Sequence, residues 1–297
     1  MRHIFILIII VLGFKNCEES FDGKNFFFNQ NSEIFIHDGI EREYLLHIPE
    51  SYDTTSSYPL VFNFHGFGGY ASEFIEETQM LETSESQNFI LVYPQGTLLD
   101  GLSHWNAALN STDNKSTVND IDFIQNLITH LSSEYAVDTS RIYACGYSNG
   151  AMFSYALACY TENKIAAIGS ISGTLIDTSS SCSPSHEIPL IKFHGTQDQV
   201  LPFSGNSDYF SVFDIIDFWR YKNNILGESD TLNLISDNNL GISKILHLDN
   251  NNNISIENYI VTNGGHEWFN FNIENHNISE LVLDFFDNYD INGTRNQ

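Results

Sequence analysis

Apolar and polar positions alternate in two segments near the start of the chain, residues 34–37 and 43–48, with Asp38-Gly39 between them. That rhythm predicts half-buried strands joined as a hairpin or at an antiparallel sheet edge. The pattern then changes. YPLVFNFHG is almost continuously apolar over 59–64, and FILVYPQG over 89–94. Runs of this kind predict strands buried on both faces, as in a parallel sheet.

Residues 71–87, between those two runs, read as a helix. Residues 118–135 space Ile121, Ile124, Ile128, Leu131 and Tyr135 three or four apart, which puts one apolar stripe on a second helix. RIYACGYS reads as a strand that passes straight into another helical pattern after Ser148. IAAIGSISG, PLIKFHGT and SKILHL repeat the buried-strand signature, with a helix predicted over 208–222 and a last one over 278–289. The alternation of strands and helices predicts an α/β fold with a mostly parallel, doubly wound sheet, in one domain over residues 30–290.

The first 20 residues stand apart. Arg2 precedes an apolar run over 4–12 that is too short to span a bilayer and reads as the core of a secretory signal. Cys17, followed by two glutamates, leaves open a lipoprotein signal with a lipid anchor at that cysteine. Both readings place the protein outside the cell, with no transmembrane segment. Twelve Lys and Arg stand against 38 Asp and Glu, a formal net charge of −26, so phosphate backbones and anionic membranes should repel the chain. Nucleic acid is thereby excluded as an expected partner.

Of the four cysteines, Cys17 lies in the leading segment and Cys145 in an apolar run, where a buried free thiol is expected. Cys159 and Cys182 remain, and in an oxidising compartment they can bridge, which would stabilise by roughly 3 kcal/mol. No cysteine pair has metal-ligand spacing, and the 11 histidines include no HExxH, so no metal site is expected. Sequons at Asn110, Asn253 and Asn277 are mostly what chance gives in so asparagine-rich a chain.

Gly146-Tyr147-Ser148-Asn149-Gly150 stands where a predicted strand ends and a helix begins. That is the context of a nucleophile elbow, in which small residues two before and two after the serine let the chain turn sharply and lift the hydroxyl above the sheet. A serine needs a base, and the base an acid to hold it. In this fold they follow the serine in the order acid, then histidine.

His266, in NGGHEW after a strand ending near Val261, is the expected base. Its rival His194 ends a strand as His-Gly and precedes any later acid, which reverses the order. Asp198, after the strand 190–193, is the expected acid. Asp177 precedes a serine-rich loop, while Asp208 and Asp214 fall at or in a predicted helix and read as a cap or a solvated face. His65-Gly66-Phe67-Gly68-Gly69 ends the strand 59–64, where the fold places an oxyanion donor. The Phe67 N–H, with Gly66 as second choice, is expected to work beside the Asn149 N–H. Trp105 and Trp268 read equally as aromatic walls for a flat ring of a substrate and as core.

The sequence resembles secreted α/β-hydrolases of the polyhydroxybutyrate depolymerase and feruloyl esterase group, within carbohydrate esterase family one. The resemblance runs from about Tyr44 to Trp268 through NFHG, VYPQG, Trp105-Asn106, VNDIDFI, GYSNGAM, LAC, HGTQDQVLPFSG and GGHEW. It implies a triad of Ser148, Asp198 and His266. It also implies a cofactor-free serine esterase acting on feruloyl or acetyl esters of plant polysaccharide, with polyhydroxyalkanoate as the alternative. Phe67 departs from a frequent cysteine of the group, Asn119 from an aspartate, and the helix ending near Tyr221 lacks a cysteine. From another class, an inactive hydrolase-fold polysaccharide-binding protein is the rival reading, which an intact strained elbow argues against.

Overall fold

The first two alternating segments form an antiparallel hairpin, β1 (Glu33–His37) and β2 (Ile40–His47). Asp38 at φ 51° and Gly39 at φ 75° are both left-handed, the turn geometry that follows the twist of the strands it joins. The computed structural model describes residues 32–109, 114–176, 182–251 and 254–295. The expected signal and Cys17, the sequons at Asn110 and Asn253, and Asp177 lie outside the described residues.

Every residue of β3 (Tyr58–Phe64) is buried, as its unbroken apolar run requires. Next come α1 (Ala71–Thr78) and α2 (Met80–Gln87), where the sequence predicted one helix. Gln79 breaks it by adopting φ 52°, and no proline or glycine marks the spot. The break lets Phe74, Ile75 and Thr78 bury on the first helix and Met80 on the second. β4 (Ile90–Pro94) follows, wholly buried, and then a short hairpin of β5 (Thr97–Leu99) and β6 (Leu102–His104).

Asn119 caps α3 (Asp120–Glu134) by accepting the Asp122 N–H. β7 (Val137–Tyr147) starts four residues earlier than the apolar run predicted, and it feeds directly into α4 (Asn149–Tyr160). Then follow β8 (Ala167–Ile171), β9 (Leu190–Gly195) and α5 (Val212–Lys222), the last opened by a Ser211–Asp214 capping box. The remaining main elements are β10 (Asp230–Ile235), β11 (Gly241–Leu248), β12 (Ser255–Val261) and α6 (Ile278–Asp287), with two hairpins of two-residue strands besides. Asn277, a sequon asparagine among the described residues, uses its side chain to cap α6 at the Glu280 N–H.

Ten strands make one sheet in the order β1-β2-β4-β3-β7-β8-β9-β12-β11-β10. The block from β4 to β12 is parallel throughout, which holds to the α/β expectation. Both flanks are antiparallel. SKILHL is therefore corrected: it belongs to β11, antiparallel and only partly buried, because it sits between the exposed β10 and β12 near the sheet margin. The exposed, polar β10 carried no apolar run from which to predict it.

Parallel pairing sets the carboxyl ends of β3, β7, β9 and β12 along one rim, and each of those ends runs into a loop that the sequence singled out. A buried ion pair braces this rim. Arg42 on β2 donates to Asp120 Oδ1 at 2.7 Å, Asp120 Oδ2 accepts the Asn106 N–H at 2.9 Å, and the guanidinium lies 3.8 Å from the Phe123 ring centre. Arg42 carries no signal in the sequence, and Asp120 stands out only as part of VNDIDFI. Removing one alone would strand the other's charge in the core.

Candidate active site

The elbow owes its shape to two backbone approaches. A Cβ on Gly146 would lie 2.4 Å from the Gly150 carbonyl carbon, and one on Gly150 would lie 2.0 Å from the Phe64 oxygen. Both are far inside van der Waals contact, so only glycine fits on either side of the serine. Ser148 itself is held at φ 53° and ψ −117°, a region costly for any residue with a side chain. Its N–H donates to the Ile171 oxygen of β8 at 3.0 Å, which fixes the strained turn to the sheet.

Serine in the N-cap position ordinarily accepts from the first turn of its helix. Ser148 does not. Its hydroxyl instead meets His266 Nε2 at 2.8 Å, and His266 Nδ1 meets Asp198 Oδ2 at 2.8 Å. The three side chains expected from the sequence are thus brought together in one relay. His194, the rival base, lies on the far side of the acid: its Nε2 is 3.3 Å from Asp198 Oδ2 and donates to the Leu201 oxygen at 2.9 Å.

Close contact between two loops places the acid beside the base. A Cβ on Gly195 would lie 2.2 Å from the Gly264 oxygen, so the chain after β9 runs against the chain after β12. Backbone bonds from Thr196 to Val261 and from Gln197 to Gly264 zip them together. From the other side, the Tyr147 hydroxyl donates to the His266 oxygen at 2.9 Å and the Ser172 hydroxyl to the Glu267 oxygen at 2.8 Å. The carbonyls of the histidine and of the residue after it are therefore both held.

The Asp198 carboxylate has no exposed surface. Burial alone would raise its pKa, but the hydrogen bonds from His266 and the Leu201 N–H outweigh it and hold the carboxyl below the usual aspartate range. Oδ1 accepts the N–H groups of Val200 and Leu201 at 2.9 and 2.8 Å, leaving Oδ2 to the histidines. An ionised acid so placed can hold the imidazole and stabilise its charged form.

A second set of bonds shapes the loop after β3, where an oxyanion donor is expected. The Asn149 side chain accepts the Trp105 N–H at 2.8 Å and donates to the Trp105 oxygen at 3.0 Å, while Trp105 Nε1 donates to the His65 oxygen. His65 Nε2 accepts the Gly96 N–H at 3.0 Å, so its proton sits on Nδ1 and is donated to the Gly66 oxygen at 2.8 Å. Burial lowers the His65 pKa to about 4, which keeps this arrangement neutral. Among the described residues the N–H groups of Phe67 and Asn149 have no acceptor, and both residues line the cleft at Ser148. The Asn149 N–H also opens α4, where the helix end carries partial positive charge.

The cleft has a volume of about 510 Å³, and Met152, Ile176, Val200, Leu201 and Tyr209 supply much of its apolar wall. Of the two readings open for the tryptophans, the structure favours core packing. Trp105 borders the cleft, but it stacks on Phe153 and takes the Phe64 ring edge-on, so its faces are spent in the core. Trp268 is buried edge-on against Phe74 and does not line the cleft. Asp208 is also corrected: it lies ahead of α5 and borders the cleft, and the capping is done by Ser211 with Asp214. Loop residues such as Tyr209 and Ile176 gave no sequence signal, because their placement depends on contacts far along the chain.

Among the described residues, one group of potential metal ligands comes within 4.8 Å: His37, Asp38 and Asp122. His37 Nε2 is already hydrogen-bonded to Asp122 there, at 2.8 Å. No helix of the described residues is long and apolar enough to cross a membrane.

Cys159 at the end of α4 is joined by a disulfide to Cys182, and Cys145 is a buried free thiol whose pKa is raised by burial. In the denatured protein, reductant should add two titratable thiols. Cys159→Ser should lower stability by about 3 kcal/mol, read as a shift of the urea midpoint. An unchanged thiol count would contradict the bridge.

A mostly parallel sheet with a strained serine at a strand-to-helix turn is the architecture of the α/β-hydrolase fold. Residues 55–213 match the phospholipase/carboxylesterase family, and the chain belongs to that family. It is 32% identical to a probable feruloyl esterase C of Aspergillus flavus over 176 residues, 57% of this chain and 60% of that protein. It is 27% identical to feruloyl esterase B of Piromyces equi over 187 residues, 62% of this chain and 34% of that protein. The chain thus spans at most about 60% of the length of these curated relatives. Among solved structures, an acetyl xylan esterase from Aspergillus awamori superposes with a TM-score of 0.65 at 13% identity, covering 86% of this chain and 99% of that one. The resemblance of the sequence to feruloyl esterases is borne out by these relatives.

Proposed function

We propose that the protein is a serine carboxylic-ester hydrolase that works through an acyl-enzyme, on feruloyl or acetyl esters of plant polysaccharide. The observation that carries the reading is the relay from the Ser148 hydroxyl through His266 to the buried Asp198, each link 2.8 Å. His266 takes the serine proton as Oγ attacks the ester carbonyl. The oxyanion forms against the Phe67 and Asn149 N–H groups, which need no reorganisation to receive it. The imidazolium, steadied by Asp198, then protonates the leaving alcohol. Water repeats the cycle in reverse and frees the acid.

Similarity to feruloyl esterases supports the polysaccharide-ester assignment. An apolar cleft wall of Met152, Ile176, Val200 and Leu201 suits an acyl or aryl group. We place the protein outside the cell, a location supported by the Cys159–Cys182 disulfide. The test is a panel of feruloylated xylan fragments, acetylated xylan, hydroxybutyrate oligomers and a peptide anilide. A feruloyl or acetyl ester should be turned over with kcat/KM on the order of 10⁴ M⁻¹s⁻¹, and the anilide should not react. Preference for hydroxybutyrate oligomers would move the substrate to polyester, and absence of turnover on every ester would overturn the reading.

A further inference from the structure

Behind the acid lies a lysine that the triad does not use. Lys192, in the middle of β9, is fully buried. Its Nζ donates to the Gly173 oxygen at 2.6 Å and reaches His194 Nδ1 at 3.4 Å. The neighbours in register on either side, Ser170 of β8 and Asn258 of β12, are buried and uncharged. Among the described residues no carboxylate pairs with this amine directly; the anion in its network is Asp198, on the far side of the His194 ring.

Two imidazoles therefore contest one carboxylate oxygen. Asp198 Oδ2 lies 2.8 Å from His266 Nδ1 and 3.3 Å from His194 Nε2. A protonated His194 would form its own ion pair with Asp198 and set a second positive charge beside the ring that must become positive during catalysis. His194 Nε2 carries a proton, since it faces the Leu201 oxygen at 2.9 Å, so the ring stays neutral only while Nδ1 stays bare.

We propose that Lys192 is a positioning residue of the triad: its buried amine occupies His194 Nδ1, keeps that ring neutral and so reserves the Asp198 carboxylate for His266. The amine donates to Nδ1 whether or not it carries charge, so the arrangement holds across neutral pH. Burial first, and then Lys192, lower the His194 pKa to about 3, against the opposing pull of the Leu201 oxygen and Asp198. His266, on the loop after β12, is the other titratable group facing the ring, and it also lowers that pKa. The proposal rests on the reading of Ser148, His266 and Asp198 as the working triad.

Lys192→Met keeps an unbranched chain one atom shorter and removes the donor. The test follows His194 by ¹⁵N-edited NMR, and kcat and KM on one ester, in wild type and variant. In wild type His194 should remain neutral with its proton on Nε2 from about pH 5 to 8.5, whereas in Lys192→Met it should titrate with a midpoint above about pH 5. The kcat of the variant should fall roughly tenfold at about pH 6 and less than twofold at about pH 8.5, with KM within about twofold. A His194 that stays neutral in the variant, or a kcat loss equal at both pH values, overturns the proposal. Should Lys192→Met fail to fold, the donor-free Lys192→Leu serves in its place, and a wild-type His194 that is charged or protonated on Nδ1 overturns it without any variant. Wild-type protein inactive on every ester would count against the catalytic reading alone, because the NMR result stands apart from turnover.

Discussion

Ser148→Ala should lower kcat on a carboxylic ester by about 10⁵-fold while leaving the folded structure in place. The serine side chain accepts nothing from its own helix, and its N–H bond to Ile171 is backbone and survives the substitution. What disappears is the attacking oxygen and its 2.8 Å contact with His266. The stability change should stay within about 1 kcal/mol, because alanine inherits the same strained turn and loses one hydrogen bond. Single-turnover kinetics and a urea midpoint measured on the same sample decide the matter. A kcat within tenfold of wild type would show that another group attacks, whereas loss of folding would show that the hydroxyl also holds the turn.

The second large effect concerns folding. Gly150→Ala puts a methyl group where a Cβ would stand 2.0 Å from the Phe64 oxygen and 2.7 Å from the His65 oxygen. Neither atom belongs to a flexible side chain, so α4 must lift away from β3. The cost should exceed about 4 kcal/mol, enough to unfold a domain of ordinary stability. A control is available in Gly227, whose added Cβ would find its nearest neighbour, the Leu248 oxygen, at 3.9 Å. Gly227→Ala should change stability by less than about 1 kcal/mol. Circular dichroism and the urea midpoint of the two variants, side by side, test whether the elbow glycine is required by backbone approach.

These two expectations mark what the sequence made legible. Gly146 and Gly150 stand out because a sharp strand-to-helix turn tolerates no other residue, and that demand is local. The strands β3, β4, β8 and β9 were readable for a similar reason: burial on both faces leaves an unbroken apolar run. His266 and Asp198 could be placed by chain order and by the glycine-rich turns that follow their strands. The helix break at Gln79 is different, since the residue has no special chemistry and adopts φ 52° to serve burial on both sides of it. Trp105 and Trp268 likewise left their role open until Phe153, Phe64 and Phe74 were seen to occupy their faces.

Long-range pairing hid the rest. Arg42 and Asp120 are 78 positions apart, and each in isolation reads as a surface charge. Lys192 interrupts an apolar strand, which a pattern reading absorbs as an exception. Its meaning depends on Gly173 and His194 being near, and that nearness is set by the register of β8 with β9. Charge told little of the site, because a balance of −26 describes the whole chain while the relay depends on three groups.

The most direct test of the central claim is covalent. Incubation with a fluorophosphonate, followed by peptide mapping in a mass spectrometer, asks which oxygen is activated. The account predicts one adduct per chain on the peptide containing Ser148, formed at least about 10³ times more slowly in His266→Ala. An adduct on a different residue, or labelling of Ser148 that proceeds at the same rate without the imidazole of His266, would contradict it.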